Sequence, residues 1–247
     1  MRPDREQSAF ILPFHAADYA RHVRSRKGWW TGAGVAPIFR RMTDSALVRT
    51  DLPQRALAAA TLFVALGSLR LVFDHYGGVP GLEGPWLRIW FLAGYLTVLT
   101  TVLVAVAMTA VAMKWRMAGW QAASLLVSVL MVSSIYHLFL ARALDPQGLH
   151  WWGTQGLHTG VPLLVTLWWL AFAPKDISPA QAPIFIAWPV LYTAYALVRG
   201  ALTGFWPYPF MDVPTLGLLR VLANLVAIGV VYTGVGLGVA LLARRLR

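Results

Sequence analysis

Two polar residues, Thr97 and His158, lie inside long apolar stretches of the sequence and could act together as nucleophile and general base. A threonine hydroxyl is unreactive by itself and needs a neighbouring group that takes its proton. A neutral imidazole suits this task, because its unperturbed pKa is about 6.5. A histidine in a membrane-spanning segment is costly, so it usually has a partner and a function. The pair therefore predicts nucleophilic chemistry within a membrane.

In such chemistry a carboxylate on the second ring nitrogen would hold the tautomer of His158, and Asp212 and Asp74 are the candidates. Structural interpretations of the same residues stay open. Threonines in membrane helices usually bond back to the carbonyl four residues earlier or join two helices. A histidine there can also be held by a purely structural partner.

Four further side chains could bind substrate or donate hydrogen bonds to an oxyanion from the same layer. They are Tyr136, His137, Arg199 and Tyr208. At about 1.5 Å rise per residue, they and the Thr97–His158 pair fall in one half of the predicted membrane layer. This interpretation requires no metal ion and no cofactor.

The composition indicates that these residues belong to a membrane protein. The chain has 247 residues, of which 58% are hydrophobic and 13% are charged, and its mean hydropathy is +0.60. Soluble domains carry about 25% charged residues. Several apolar runs approach the length of about 20 residues that crosses the hydrocarbon of a bilayer. We therefore expect an all-α, polytopic bundle of six transmembrane helices. The predicted spans are about 57–73, 87–113, 118–141, 152–172, 183–202 and 216–242.

The basic residues predict the orientation. Ten of the 21 Lys and Arg lie in residues 1–55, and three more lie in the last four positions. Six spans place both termini on one side, and the excess of cations on that side indicates that both termini are cytoplasmic. We divide the chain into a basic tail, 1–54, and a transmembrane domain, 55–247. We expect the tail to be amphipathic or partly disordered and to contact anionic lipids.

Some classes of partner and chemistry are disfavoured. The net charge of +11 is concentrated in the tail, and no recognition motif accompanies it, so we expect no nucleic-acid binding. The absence of cysteine excludes disulfides, thiolate metal sites and a cysteine nucleophile. The oligomeric state stays open.

Three motifs carry a resemblance to a known family. They are Tyr95-Leu96-Thr97, Gly156-Leu157-His158-Thr159 followed by Pro162, and the aromatic segment from Gly204 to Asp212. In this order they resemble the androgen-induced-gene family of multi-pass membrane proteins and its bacterial Pr6Pr-type relatives. The resemblance covers about residues 57–242 and suggests the bacterial inner membrane as the location.

Animal members of that family are intramembrane threonine hydrolases that cleave fatty-acid esters of hydroxy fatty acids. The resemblance therefore implies a lipid ester from the bilayer as substrate, with Thr97 as nucleophile and His158 as base. Asp212 stands where the family has a glutamate. The chain departs from the family at Thr100, where an aspartate is expected, and at Gly160, which replaces a threonine.

Two other functions use the same polar layer. A transporter, channel or lipid-binding protein would use the arginines as anion contacts. A haem-binding electron carrier would use His137 and His158 as axial ligands.

Overall fold

The computed structural model describes residues 52–144 and 146–247, and every regular element within these ranges is helical. The α-helices are α1 (Leu52–Tyr76), α2 (Pro85–Leu92), α3 (Leu96–Ala112), α4 (Gly119–Ile135), α5 (Ala141–Leu144), α6 (Gly148–Gln155), α7 (Val161–Phe172), α8 (Ala187–Thr203), α9 (Val213–Leu216) and α10 (Leu218–Arg245). Two π-helical turns, Tyr136–Leu140 and Gly156–Gly160, continue α4 and α6. Two 3-10 segments, Pro179–Ile186 and Pro209–Met211, precede α8 and α9. The all-α prediction is confirmed, and the predicted basic tail lies outside the described residues up to position 51.

Several of these helices are long and apolar enough to cross a membrane. Four qualify by themselves: Leu52–Tyr76, Gly119–Leu140, Pro179–Thr203 and Leu218–Arg245. The bent pair of α2 and α3 makes a fifth if it is counted as one span. The predicted span 152–172 lies within the helical stretch from Gly148 to Phe172, which contains the polar Gln155 and His158 and is not among the helices that qualify.

Side-chain contacts define two ends of the bundle. At the first, the Arg55 end, Arg55 Nε donates to the carbonyl of Ala112 at 2.9 Å, and Arg247 donates to the carbonyl of Ile177. At the second, the cap end, the rings of His75 and His150 stack with their centroids 3.6 Å apart. The Arg55 end holds residues 52–55, 112–119, 173–181 and 244–247. The cap end holds residues 74–84, 146–150 and 204–217.

The second predicted span is broken rather than continuous. Helices α2 and α3 meet at an angle of 98° across residues 93–95. The prediction of one helix through 87–113 is therefore wrong. The break changes the site, because Thr97 is the second residue of α3 rather than a residue in the interior of a long helix.

One face of α8 satisfies the backbone groups that this break exposes. The Tyr192 hydroxyl donates to the carbonyl of Gly94 at 2.7 Å, and the Tyr195 hydroxyl donates to that of Ala93 at 3.1 Å. Arg199 Nη2 donates to the carbonyl of Trp90 at 2.7 Å. Such carbonyls must find protein partners in a bilayer, because no water is available there. The three side chains therefore stabilise the bend.

Glycines allow the segment with His158 to approach α1 closely. A Cβ on Gly153 would lie 3.0 Å from Val72, and a Cβ on Gly156 would overlap the Ser68 hydroxyl. Because the glycine face is turned toward α1, a different face carries His158 toward α3.

The apolar core of the described residues has three clusters. The largest lies toward the Arg55 end and contains the fully buried Trp168, Trp169 and Phe185. The smallest contains Val72, Leu92 and Leu157. The second cluster lies beneath the cap and includes Leu96 and Met211. Thr97 lies at the start of its helix beside this second cluster, so apolar side chains surround the candidate site on one side.

Candidate active site

The structure brings Thr97 and His158 together. Thr97 Oγ1 lies 3.2 Å from His158 Nε2, and Nδ1 of the same ring lies 2.9 Å from the carbonyl oxygen of Thr154. A carbonyl can only accept, so this network assigns the proton to Nδ1. Nε2 of a neutral imidazole is then the acceptor for the Thr97 hydroxyl. This is the arrangement that a general base requires.

The break before α3 determines the surroundings of the Thr97 hydroxyl. Thr97 is 8% exposed and is the second residue of the helix. The first turn of a helix has backbone N–H groups without intrahelical partners, and its end carries partial positive charge. A negative charge that develops beside Thr97 would therefore meet a favourable field.

Tyr208 reaches the same point from the cap. Its hydroxyl accepts a hydrogen bond from the backbone N–H of Leu96 at 3.1 Å and also interacts with the side chain of Thr97. Burial raises the pKa of Tyr208, so the phenol stays protonated. It is therefore available as a donor to an oxygen beside Thr97.

Tyr136 forms the wall behind the imidazole. Its ring stacks on that of His158 with centroids 3.9 Å apart and planes 20° from parallel. The two residues belong to the two π-helical turns, 136–140 and 156–160. Single π-helical turns inside α-helices are frequent at functional sites. The stacking fixes the ring orientation that the hydrogen bonds require.

His137 points into a separate polar chain. Its Nε2 lies 3.0 Å from Thr159 Oγ1, and the Thr159 hydroxyl donates to Gln155 Oε1 at 2.9 Å. Because that hydroxyl proton is used, Nε2 of His137 is the donor to Thr159. His137 is therefore not placed against the Thr97 hydroxyl.

Arg199 has a structural position. It is 6% exposed, its Nη1 donates to the Tyr195 hydroxyl at 3.1 Å, and its guanidinium lies 4.2 Å above the ring of Trp90. Together with the hydrogen bond to the Trp90 carbonyl, these contacts hold the Arg199 guanidinium against the α2–α3 break. The structure does not place it as a substrate contact.

Neither predicted carboxylate reaches His158, contrary to expectation. Asp212 begins α9, where Oδ1 accepts from the backbone N–H of Thr215 at 3.2 Å and Oδ2 from its hydroxyl at 2.8 Å. Asp74 pairs with Arg70 at 2.6 Å. The physical reason is that a capping aspartate uses both of its oxygens locally. The position beside Nδ1 belongs to the Thr154 carbonyl.

Two cavities meet at the pair. A smaller one of about 60 Å³ is lined mainly by apolar side chains of the second core cluster. A larger one of about 290 Å³ extends toward the cap end and includes Tyr76 and His150. Thr97, His158 and Tyr208 line both. A molecule bound at the Thr97–His158 pair could therefore extend into both cavities.

The same residues bear on metal and haem binding. Within residues 52–144 and 146–247 no group of three or more His, Asp or Glu is placed to hold a metal ion. Both ring nitrogens of His158 have partners, so an axial-ligand role would require breaking one of those contacts.

Three residues of the site were not predicted. The carbonyl of Thr154 has no sequence signal, because any residue type supplies one. Tyr192 and Tyr195 do have one, since with Arg199 they form a polar stripe on one face of an otherwise apolar helix. Such a stripe indicates that polar groups of a neighbouring segment face this side of the helix.

Comparison with known proteins adds no relative. Neither a scan against protein-family models nor searches of curated proteins and of solved structures find a match for this chain.

Proposed function

We propose that this chain is an intramembrane threonine hydrolase that cleaves a lipid ester, such as a fatty-acid ester of a hydroxy fatty acid. The observation that carries the proposal is the 3.2 Å contact between Thr97 Oγ1 and the unprotonated nitrogen of His158, whose other nitrogen is bonded to Thr154. A threonine that only bonded back to its own helix would not need this partner.

The reaction begins with attack of Thr97 Oγ1 on the ester carbonyl carbon, while the hydroxyl proton passes to His158 Nε2. The tetrahedral intermediate collapses as His158 returns that proton to the leaving alcohol oxygen. An acyl ester on Thr97 remains. Water then attacks this acyl ester and gives a proton to His158, which passes it to Thr97 Oγ1 as the acyl–oxygen bond breaks. The carboxylic acid is released and the Thr97 hydroxyl is regenerated.

Stabilisation of the oxyanion is assigned to two sources. The Tyr208 hydroxyl lies beside Thr97 and keeps its proton. The start of α3 adds the partial positive charge of its first turn. Donors that are in place before the reaction are worth more in a site from which water is excluded.

The two cavities suit an ester with two apolar arms. The part of the acyl chain nearest the carbonyl would lie in the smaller cavity and the alcohol portion in the larger cavity, with the carbonyl at their common wall. Both are lined largely by apolar groups, so the substrate would enter from the bilayer.

The topology proposed with this function has six spans and cytoplasmic termini, in a bacterial inner membrane. The predicted span 152–172 would then be more polar than the others because it carries His158. Thr97 lies fifteen residues from Ala112, so it is about 22 Å from the Arg55 end. In a hydrocarbon layer of about 30 Å, the proposed reaction would then occur in the outer half.

The proposal is tested by active-site labelling of the purified protein with a fluorophosphonate and by hydrolysis of a fatty-acid ester of a hydroxy fatty acid. Thr97→Ala and His158→Gln should each abolish both signals. Thr109→Ala is the matched control, because the Thr109 hydroxyl only donates to the carbonyl of Ala105 in the same helix. Labelling or turnover that persists in folded Thr97→Ala would refute the assignment.

A further inference from the structure

A groove separate from the two cavities at Thr97 lies between α3 and α4, toward the Arg55 end of the bundle. Its volume is about 400 Å³, and it shares no lining residue with the two cavities at Thr97. Leu103, Ala107 and Ala110 line it on one side, and Trp120 and Ser124 line it on the other. Small side chains on both helices leave this space between them.

The interior of the groove is suited to hydrocarbon. The hydroxyl of Ser124 donates to the carbonyl of Trp120, and that of Ser128 donates to the carbonyl of Ser124, both at 2.8 Å. The indole N–H of Trp188, at the far end, donates to the Thr100 hydroxyl at 3.0 Å. These polar groups are satisfied within the protein, so none of them requires a polar ligand.

The length of the groove corresponds to part of an acyl chain. Trp120 and Ser128 are eight residues apart on α4, which is about 12 Å. Half of a hydrocarbon layer is about 15 Å. The groove therefore spans most of one leaflet, from the Arg55 end to Trp188.

The mouth of the groove is cationic and aromatic. Arg116 lines it, Lys114 lies two residues earlier in the same loop, and Trp115 between them is 67% exposed. Lys114 and Arg116 are both exposed. Among the described residues, neither has a hydrogen bond or an ion pair. Tryptophan is enriched where a membrane meets water.

Two other cations at this end, Arg55 and Lys175, are already used by the fold. Arg55 donates to the carbonyl of Ala112, and Lys175 donates to those of Trp169 and Ala173. They complete the carboxyl ends of helices, where cations are favourable. Within residues 52–144 and 146–247, Lys114 and Arg116 have no such role, so their positive charges are available to a ligand.

We propose that this groove binds one anionic phospholipid. The phosphate lies against Arg116 and Lys114, the indoles of Trp115 and Trp120 lie at headgroup level, and one acyl chain follows the groove to Trp188. Cations near an anionic membrane surface each favour binding modestly. The apolar groove adds the burial of methylene groups, which a surface patch lacks. This site is independent of ester hydrolysis.

The experiment is native mass spectrometry of the full chain, delipidated in detergent and titrated with dioleoyl phosphatidylglycerol or dioleoyl phosphatidylcholine. These probes share their acyl chains and differ in headgroup charge. The protein should retain one phosphatidylglycerol in clear preference to phosphatidylcholine. The double variant K114Q/R116Q should lower that preference about 30-fold, because each cation contributes about 1 kcal/mol. R244Q/R245Q, which removes two cations at the same end but outside the groove, should keep it.

A second variant tests the chain-binding part. Ala110→Phe fills the groove beside Trp120 and should reduce retention of both lipids. If K114Q/R116Q keeps the preference, or if R244Q/R245Q loses it equally, the charged mouth is not the headgroup site and the proposal fails. If Ala110→Phe, folded by thermal melt, retains phosphatidylglycerol as wild type does, the acyl chain is elsewhere and the proposal also fails. Ester turnover is not a readout here, so failure of the hydrolase assignment would be recognised separately.

Discussion

Nδ1 of His158 lies 2.9 Å from the carbonyl oxygen of Thr154, one turn earlier in the same helical segment. The segment that carries the histidine therefore also fixes its tautomer. Hydroxyl-histidine sites often use a carboxylate for this purpose, which also stabilises the imidazolium. Here a neutral carbonyl orients the ring. Among the described residues the ring nitrogens of His158 contact only Thr97 and the Thr154 carbonyl, so an imidazolium formed in the proposed reaction would have no carboxylate partner.

Asp212 should be dispensable for catalysis. In Asp212→Asn the side-chain oxygen can still accept from the backbone of Thr215, so the cap keeps its main contact. We expect kcat within about twofold of wild type, measured as ester hydrolysis. Loss of a catalytic aspartate costs about 10⁴-fold in a triad. A fall of that size with an unchanged melting temperature would restore the carboxylate to the mechanism.

Tyr208→Phe should slow the chemical step. Removing one oxyanion donor costs about 10²-fold or more in kcat, because it acts mainly in the transition state. KM should change little. Tyr232→Phe is the control, since Tyr232 lines the same smaller cavity but its hydroxyl contacts Ser134. If both variants have wild-type kcat, Tyr208 only caps α3.

Arg199→Gln should destabilise the α2–α3 break. The carbonyl of Trp90 loses its charged donor, and a buried group left unpaired costs about 1–3 kcal/mol. We expect a lower melting temperature together with reduced turnover, because Thr97 starts the helix after this break. Arg220→Gln, at an exposed arginine, should change neither. Reduced turnover at unchanged stability would instead indicate a direct contact with substrate.

Gly156→Ala should prevent close packing against α1. The added Cβ would overlap the Ser68 hydroxyl, so the helices must separate and His158 must shift. Melting temperature and turnover should both fall. Gly234→Ala is matched, because nothing lies within 4 Å of its Cβ position. Adding Ser68→Gly to Gly156→Ala should recover part of the loss, and no recovery would argue against this contact.

Mild acid should destabilise the cap end. Burial, and then the neighbouring His75, lower the pKa of His150 below 6.5. A depressed folded-state pKa means that protonation favours the unfolded chain. The contribution of neutral His150 to the free energy of unfolding is therefore fully present above about pH 6.5. It is lost as the pH falls through the pKa that His150 has in the folded protein. Melting temperatures of wild type should fall between pH 7.5 and 5. His150→Gln should show a smaller fall, and an identical fall would exclude this histidine as the cause.

Much of the fold follows from local sequence. Apolar length and polar turns predict all-helical spans because each depends on residues close in the chain. Depth along a helix follows from a constant rise per residue, which is why Thr97 and His158 could be placed in one layer. The break at 93–95 has no such local signal. Its carbonyls are satisfied by Tyr192 and Tyr195, about a hundred residues later.

The sequence by itself determined a helical chain with spans long enough for a membrane, a basic excess at one predicted side and a threonine and a histidine at similar depth. Only the tertiary structure decided which atoms meet. In the folded chain Nδ1 of His158 bonds to the Thr154 carbonyl, Asp212 caps α9, and Arg199 donates to a carbonyl beside the α2–α3 break. The physical reason is that hydrogen bonds are short-range and directional. They depend on helix rotation and side-chain direction, which helix–helix packing sets and local sequence does not.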